Sequence, residues 1–299
     1  MIAQVTLTPS ESKKLISKAV VKMEVIKKAL KNGLIVLHPS SSTYFMVEEI
    51  TGHKPPSNAW VCGVIVPRGA CVEMGTFMEP HTQDADSEKS KTDSVPEGPG
   101  RFPFSWGIRK GEYAPQESLF SLLEEMGPGD VYLKGVNAID VDGNVGVLWG
   151  NVNKGGTFGV VTAAQRKKKF NIIYPTGLEK LIPISIKDAA KEAKRFQYDY
   201  GMGLPCGLFP CKGTVITELN AIEILSGATA IPISAGGLGG AEGAITLVVK
   251  GRKAQVNKAI AYIEASKGAR LPEVRLNNCL DCTPSASPCP FPIKDKHWD

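Results

Sequence analysis

No window of this chain approaches the roughly 18 uninterrupted apolar residues that a membrane-spanning helix needs, and Met1 to Pro9 shows no positive region followed by an apolar core. A transmembrane segment and a secretory leader are both unexpected, and a cytoplasmic location is the natural reading. Aromatic residues are scarce, at 7% of the total, and they do not interleave with a clustered basic face. With a net charge of only +5, the balance favours small anions slightly and argues against nucleic acid. No collagen-like period and no low-complexity tract runs through the 31 glycines and 21 prolines, so these predict loops. The seven cysteines lack the doubled CxxC spacing of a strong zinc motif, and without a leader they read as reduced thiols or metal ligands.

What is present is an ordinary globular composition. With 299 residues, 42% of them hydrophobic, the chain is long enough for two cores. Thr8-Pro9-Ser10-Glu11 reads as a capping box with proline at the first helical position, and Leu15, Ile16, Val20, Val21, Met23, Ile26 and Leu30 continue at helical spacing to Gly33, predicting one long helix. Leu34 to His38 is a compact apolar run suited to a buried strand, broken at Pro39-Ser40-Ser41-Ser42-Thr43 before a helix through Met46 to Ile50. Val61 to Val66 and Ala70 to Met74 read as a strand pair, and from Thr76 to Tyr113 all periodicity is lost, which predicts a long loop or lid. Helices over Gln116 to Glu125 and Thr157 to Lys169 then alternate with strands over Asp130 to Val136, Val145 to Trp149 and Asn171 to Pro175. This alternation predicts an α/β class: a Rossmann-like parallel sheet within residues 1–186, its ligands gathered at the loops after His38, Val136 and Tyr174.

After Ile186 the pattern changes. Strands over Thr214 to Thr217, Ala228 to Ser234, Ala244 to Val249 and Glu273 to Leu276, with helices over Glu218 to Leu225 and Ala254 to Ser266, predict a ferredoxin-like βαββαβ domain across 187–276. A Cys- and Pro-rich tail, 277–299, follows it. The run Gly236 to Gly243 joins two of these strands and reads as a long hairpin turn, with Glu242 a lesser candidate for an interface.

Two segments have the layout of anion sites. Ser40, Ser41, Ser42 and Thr43 offer consecutive hydroxyls where a strand turns into a helix, and helix-start amides stabilise negative charge. Lys154-Gly155-Gly156-Thr157 opens a second helix with a point charge and a permissive backbone. The bland alternatives are an N-cap cluster serving its own helix and a flexible turn with a solvated lysine.

The Ser40 to Thr43 loop resembles the phosphate loop of the superfamily that holds ribose-5-phosphate isomerase, glucosamine-phosphate deaminase and the coenzyme A transferases. Gly135-Val136-Asn137-Ala138-Ile139, with Asp142-Gly143 and Asn153 to Thr157, is similar to a signature of methylthioribose-phosphate isomerase and the initiation factor 2B regulatory subunits. This resemblance, over roughly Gly33 to Pro183, implies a phosphosugar-type ligand held by Ser40 to Thr43 and Lys154 to Thr157, with Asn137 orienting a substrate oxygen. The departures are informative. The isomerases carry aspartate where this chain has Asn137, and an amide is no general acid or base. Val160, Val161 and Thr162 stand where ribose-phosphate isomerases place a Glu-Lys pair.

Substitute proton carriers are Asp140, at a strand-end loop, and Glu179 with Lys180, after the strand Asn171 to Pro175. Such a pair is equally an ordinary surface ion pair. Cys279, Cys282 and Cys289 in the tail, with Cys206 and Cys211, supply soft ligands for zinc or an iron–sulfur cluster, although no cofactor is required. The expected function is an isomerase or transferase moving a proton next to a carbonyl on a phosphorylated or carboxylated metabolite. The alternatives are a non-catalytic metabolite sensor or regulatory subunit, and an assembly or scaffold protein. The expected partners are the small anionic metabolite and further copies of the chain in a homo-oligomer, with neither nucleic acid nor membrane.

Overall fold

A computed structural model describes residues 1–55, 64–66, 69–71, 106–114, 118–150, 156–193, 198–199, 203 and 205–273. In chain order the elements are β1 (Ile2–Leu7), α1 (Pro9–Val20), α2 (Glu24–Asn32), β2 (Leu34–Leu37), α3 (Tyr44–Thr51), β3 (Val64–Val66), β4 (Gly69–Cys71), β5 (Trp106–Arg109), β6 (Glu112–Ala114), α4 (Leu119–Glu125), β7 (Val131–Leu133), β8 (Ala138–Ile139) and β9 (Val145–Trp149). There follow α5 (Gly156–Lys168), β10 (Asn171–Pro175), a 3-10 turn (Leu178–Lys180), α6 (Ile186–Glu192), β11 (Gly207–Cys211), β12 (Thr214–Ile216), α7 (Glu218–Ser226), β13 (Thr229–Ala235), β14 (Ile245–Lys250) and α8 (Lys253–Glu264).

The fold is mixed α/β around a six-stranded sheet of order β12-β10-β7-β2-β5-β6. The first four strands are mutually parallel, β5 runs antiparallel to β2, and β6 runs antiparallel to β5. β2 and β7 are buried along their whole length because both sheet faces are covered. Side chains alternate between the faces. Ile35, Leu37, Val131, Leu133 and Ile173 join one core with α1, α2, α7 and α8, while Leu34, Val36, Tyr132, Ile172 and Tyr174 join another with α4 and α5. A second sheet, β1-β14-β13, is antiparallel and puts Leu7, Ile245, Leu247 and Val249 into the first of those cores. A third, β11-β9-β8, packs against α6.

The structure departs from the sequence reading in three places. The long first helix is two: the chain turns at Val21 to Met23, and Met23 is extended. Two β-branched residues, Val20 and Val21, weaken the helix at that point. Within the aperiodic stretch 76–113, Trp106–Arg109 and Glu112–Ala114 pair as a hairpin, whose turn residues Lys110 and Gly111 take φ of 48° and 84°. That left-handed pair is a tight hairpin signal. Finally, Thr214–Ile216 pairs with β10 in the main sheet, and the neighbour of β14 is the N-terminal strand, from Ile2↔Lys250 to Leu7↔Ile245. Leu271 to Glu273 carry no strand, and the rest of the expected last strand lies outside the described residues. No described helix is long and apolar enough to cross a membrane.

Candidate functional site

The parallel strands all end on one rim, and each is followed by polar residues. His38 and Ser40 to Thr43 follow β2, Lys134 and Gly135 follow β7, Thr176 to Lys180 follow β10, and Thr217 with Glu218 follow β12. The chain leaves β2 toward β5 on one side and leaves β7 toward β10 on the other, so the strand order reverses between β2 and β7. In open α/β sheets the crevice outside such a reversal is where ligands collect.

Gly135 touches the serine loop directly. A Cβ there would stand 3.0 Å from both Ser40 Oγ and Ser42 Oγ, so a side chain would press on the two hydroxyls. The loop is tied by its own threonine: Thr43 Oγ1 donates to the His38 carbonyl at 2.6 Å and meets Ser40 Oγ at 3.0 Å. Ser42 is buried, and its hydroxyl accepts from Lys180 Nζ at 3.1 Å. Below it His38 is buried with Nδ1 3.0 Å from Tyr132 Oη; burial, then the charge of Lys134, holds the imidazole well below its ordinary pKa and so neutral.

The 3-10 turn brings Lys180 and Glu179 to the same rim. Glu179 Oε1 pairs with Lys13 Nζ of α1 at 2.6 Å, with side chains only 7% and 14% exposed. Glu179 Oε2 is buried without a hydrogen-bond partner. Its carboxylate lies where a methyl at Gly177 would stand, so this approach requires glycine. Glu218, fully buried at the first turn of α7, accepts from the Leu178 amide at 3.0 Å and from Ser12. Burial is the main cause that raises its pKa to about 7, with Glu179 adding to it and the hydrogen bonds opposing it. Lys180 is half-buried, and desolvation of its ammonium lowers its pKa to about 8. Glu179 opposes that shift, Lys13 and Lys134 reinforce it, and Glu218 opposes it weakly.

No family model matches this chain, and neither does a curated protein or a solved structure. The functional reading therefore stands on this geometry.

The other expected site residues have distinct placements. Asp140 is buried, and its carboxylate accepts from the amides of Asp142, Asn144 and Ile186 at 3.1, 2.8 and 3.0 Å and from Asn144 Nδ2. Burial alone would raise its pKa, but these donors outweigh it and hold the carboxyl below its usual range. Asp140 thus joins its own turn to the start of α6. Asn137 is exposed, and its Oδ1 accepts from the Leu148 amide at 2.9 Å. Gly156, buried with φ 59°, and the half-buried Thr157 open α5, while Lys154 and Gly155 lie outside the described residues. The glycine-rich run closes the β13–β14 hairpin, where Glu242 accepts from the Gly240 amide at 3.0 Å.

Cys206 and Cys211 are both half-buried. Cys211 Sγ donates to the Phe209 carbonyl at 3.3 Å, and burial raises the thiol to about 11. Cys279, Cys282 and Cys289 lie outside the described residues, and among the described residues no group of three His, Cys, Asp or Glu could hold a metal.

Sequence reasoning had not placed Lys13, Lys134 or Glu218 in the site. Lys13 carried a signal: it sits among Ser12, Leu15, Ile16 and Ala19 on the buried side of α1, where an unpaired lysine is costly. Glu218 was assigned to another domain, and only the pairing of β12 with β10 brings it here.

Proposed function

We propose that this rim binds a small metabolite bearing a phosphate or carboxylate, and that the protein acts on it by proton transfer next to a carbonyl, as an isomerase or transferase does. The observation that carries the reading is the charge arrangement at the strand-order reversal: Lys13, Lys134 and Lys180 gather there, with an amine poised near 8 beside a carboxyl poised near 7. Groups that titrate this close to neutrality accept and release protons at physiological pH. Lys134 and the half-buried Ser40 and Ser41 supply the anion contacts, and Lys180 is the proton carrier that reaches the substrate. Glu218 has no exposed surface and acts through its charge on Lys180. Asp140 and Asn137 are committed to the fold by their hydrogen bonds, so neither has a catalytic part in this reading. Kinship with the ribose-phosphate isomerase and coenzyme A transferase superfamily is part of this reading, and what supports it is the parallel strands and the serine loop after β2.

The ion pair of Glu179 with Lys13 favours a second reading, a metabolite sensor in which the carboxylate never turns over. Two measurements separate the readings. Ligand at about 100 times its Kd contributes about 2.7 kcal/mol of stability, so phosphosugars or 2-oxo acids are expected to raise Tm in the wild type and not in Lys134→Ala. Exchange of the ligand's C–H protons in D2O, followed by NMR, then marks the enzyme. A selective Tm rise without exchange supports the sensor, and no selective rise with any phosphate or carboxylate ends both.

A further inference from the structure

We propose that Lys180 is a covalent nucleophile whose Nζ forms an imine with the carbonyl carbon of a small aldehyde or ketone that also carries a phosphate or carboxylate. The inference rests on the anion-site reading for where the substrate lies, and it adds the chemistry at the carbonyl. A lysine serves this way when its amine is desolvated or set beside other cations, so that it sheds its proton. The lysines of the rim differ on that criterion. Lys13 has its Nζ engaged by Glu179 Oε1 at 2.6 Å and by the Pro9 carbonyl at 3.3 Å. Lys134 stands 5.8 Å over the Phe158 ring, whose face favours an ammonium. Lys180 instead bonds a neutral hydroxyl, Ser42 Oγ. The charges facing it are Glu179 on its own turn, Lys13 from α1, Lys134 from the end of β7 and Glu218 from α7, and with burial dominant they leave it at about 8.

In the step, the amine lone pair makes the C–N bond as the carbonyl π pair moves onto oxygen. Two protons leave nitrogen, two arrive on oxygen through solvent, and the C–O bond breaks to release water. Carbonyl plus amine gives imine plus one water, with no change of oxidation state. Once protonated, the imine withdraws electrons from the adjacent carbon and acidifies its C–H, whose proton passes to solvent; in this form Lys180 serves the proton transfer as the electron sink and no longer as the proton carrier. Ser42, by donating to or accepting from Nζ, is a positioning residue.

The test incubates the full chain with pyridoxal 5′-phosphate, and separately with pyridoxal, then reduces with cyanoborohydride and maps the secondary amine by peptide mass spectrometry. At about pH 7.5, close to the value near 8 of its amine, Lys180 is expected to carry about tenfold more label than an exposed lysine such as Lys253. Its labelling is expected to reach half its maximum near pH 8, to be faster with the phosphorylated aldehyde, and to be slowed by inorganic phosphate. Label spread over exposed lysines without excess at Lys180 overturns the imine; if phosphosugars still raise Tm, the anion reading survives alone. Excess label at Lys180 from both aldehydes alike, unaffected by phosphate, keeps the nucleophile and removes the anion reading. Lys180→Arg keeps the charge and is expected to keep the Tm response; should it fail to fold, the wild-type map alone decides.

Discussion

Asp140, after β8, and Glu218, after β12, are both buried carboxylates at strand ends, yet they are driven in opposite directions. Asp140 has amide donors from its own turn and from Ile186, and no carboxylate contributes to its shift, so ionisation is stabilised. Glu218 has the backbone amides of Leu178 and of its own residue and the Ser12 hydroxyl, but it is fully buried and faces Glu179, so ionisation is opposed. Burial by itself does not make a carboxyl reactive. The number of donors and the sign of the nearest charge decide whether a buried acid is a staple or is poised to titrate.

The comparison breaks most visibly at Asp140. Asp140→Ala leaves the buried Ile186 amide and the part-buried amides of Asp142 and Asn144 without their acceptor and is expected to cost about 3 kcal/mol, read as a fall in Tm or in the denaturant midpoint. A loss well under 1 kcal/mol would mean that the staple is not needed. Glu218→Gln keeps the shape and the Leu178 bond while removing the charge. Because the folded pKa of Glu218 is raised from 4.5 to about 7, the native state binds the extra proton in that window, so its contribution is full below 4.5 and is lost as pH rises to 7. The loss is of the order of 3 kcal/mol. His38 acts in the opposite sense, since its depressed pKa costs stability as pH falls below 6.5. The difference between wild type and Glu218→Gln isolates the glutamate: the variant should lack this decline between pH 4.5 and 7, and parallel curves would refute the assignment. The smallest effect is at Gly177→Ala, where the new methyl meets the Glu179 carboxylate, with an expected cost of about 1–2 kcal/mol. Adding Glu179→Ala should return most of that loss in a double-mutant cycle; additive losses would place the strain elsewhere.

Much of the frame was legible because its central strands are buried on both faces. Leu34 to Leu37, Val131 to Leu133 and Asn171 to Pro175 stand out as apolar runs without any knowledge of their neighbours. The rim loops follow from those strands, and the structure brings Ser42, Gly135 and Lys180 together there. What stayed hidden was long-range. Ile2 to Leu7 alternates in the way of a half-buried strand, but nothing local says that its partner is Ile245 to Lys250. Nor does any local pattern show that Thr214 to Ile216 belongs beside β10, which is the step that delivers Glu218. The polar tip at Asn137 and Asp140 was visible in the sequence, whereas its commitment to Leu148 and Ile186 depends on chain segments that only the fold brings near.

The β1–β14 pairing also has a consequence in time. Thr6 and Thr246 meet across 240 residues of chain, and at about 5–20 residues per second a ribosome takes roughly 12–50 s to make that length. During that interval β1 has no strand to sit beside, and α1, which begins two residues after it and carries Lys13, lacks both that sheet and α7 to dock against. The lysine that restrains Glu179 is made early and takes its place late, so a nascent chain matures this rim only after β14 has emerged.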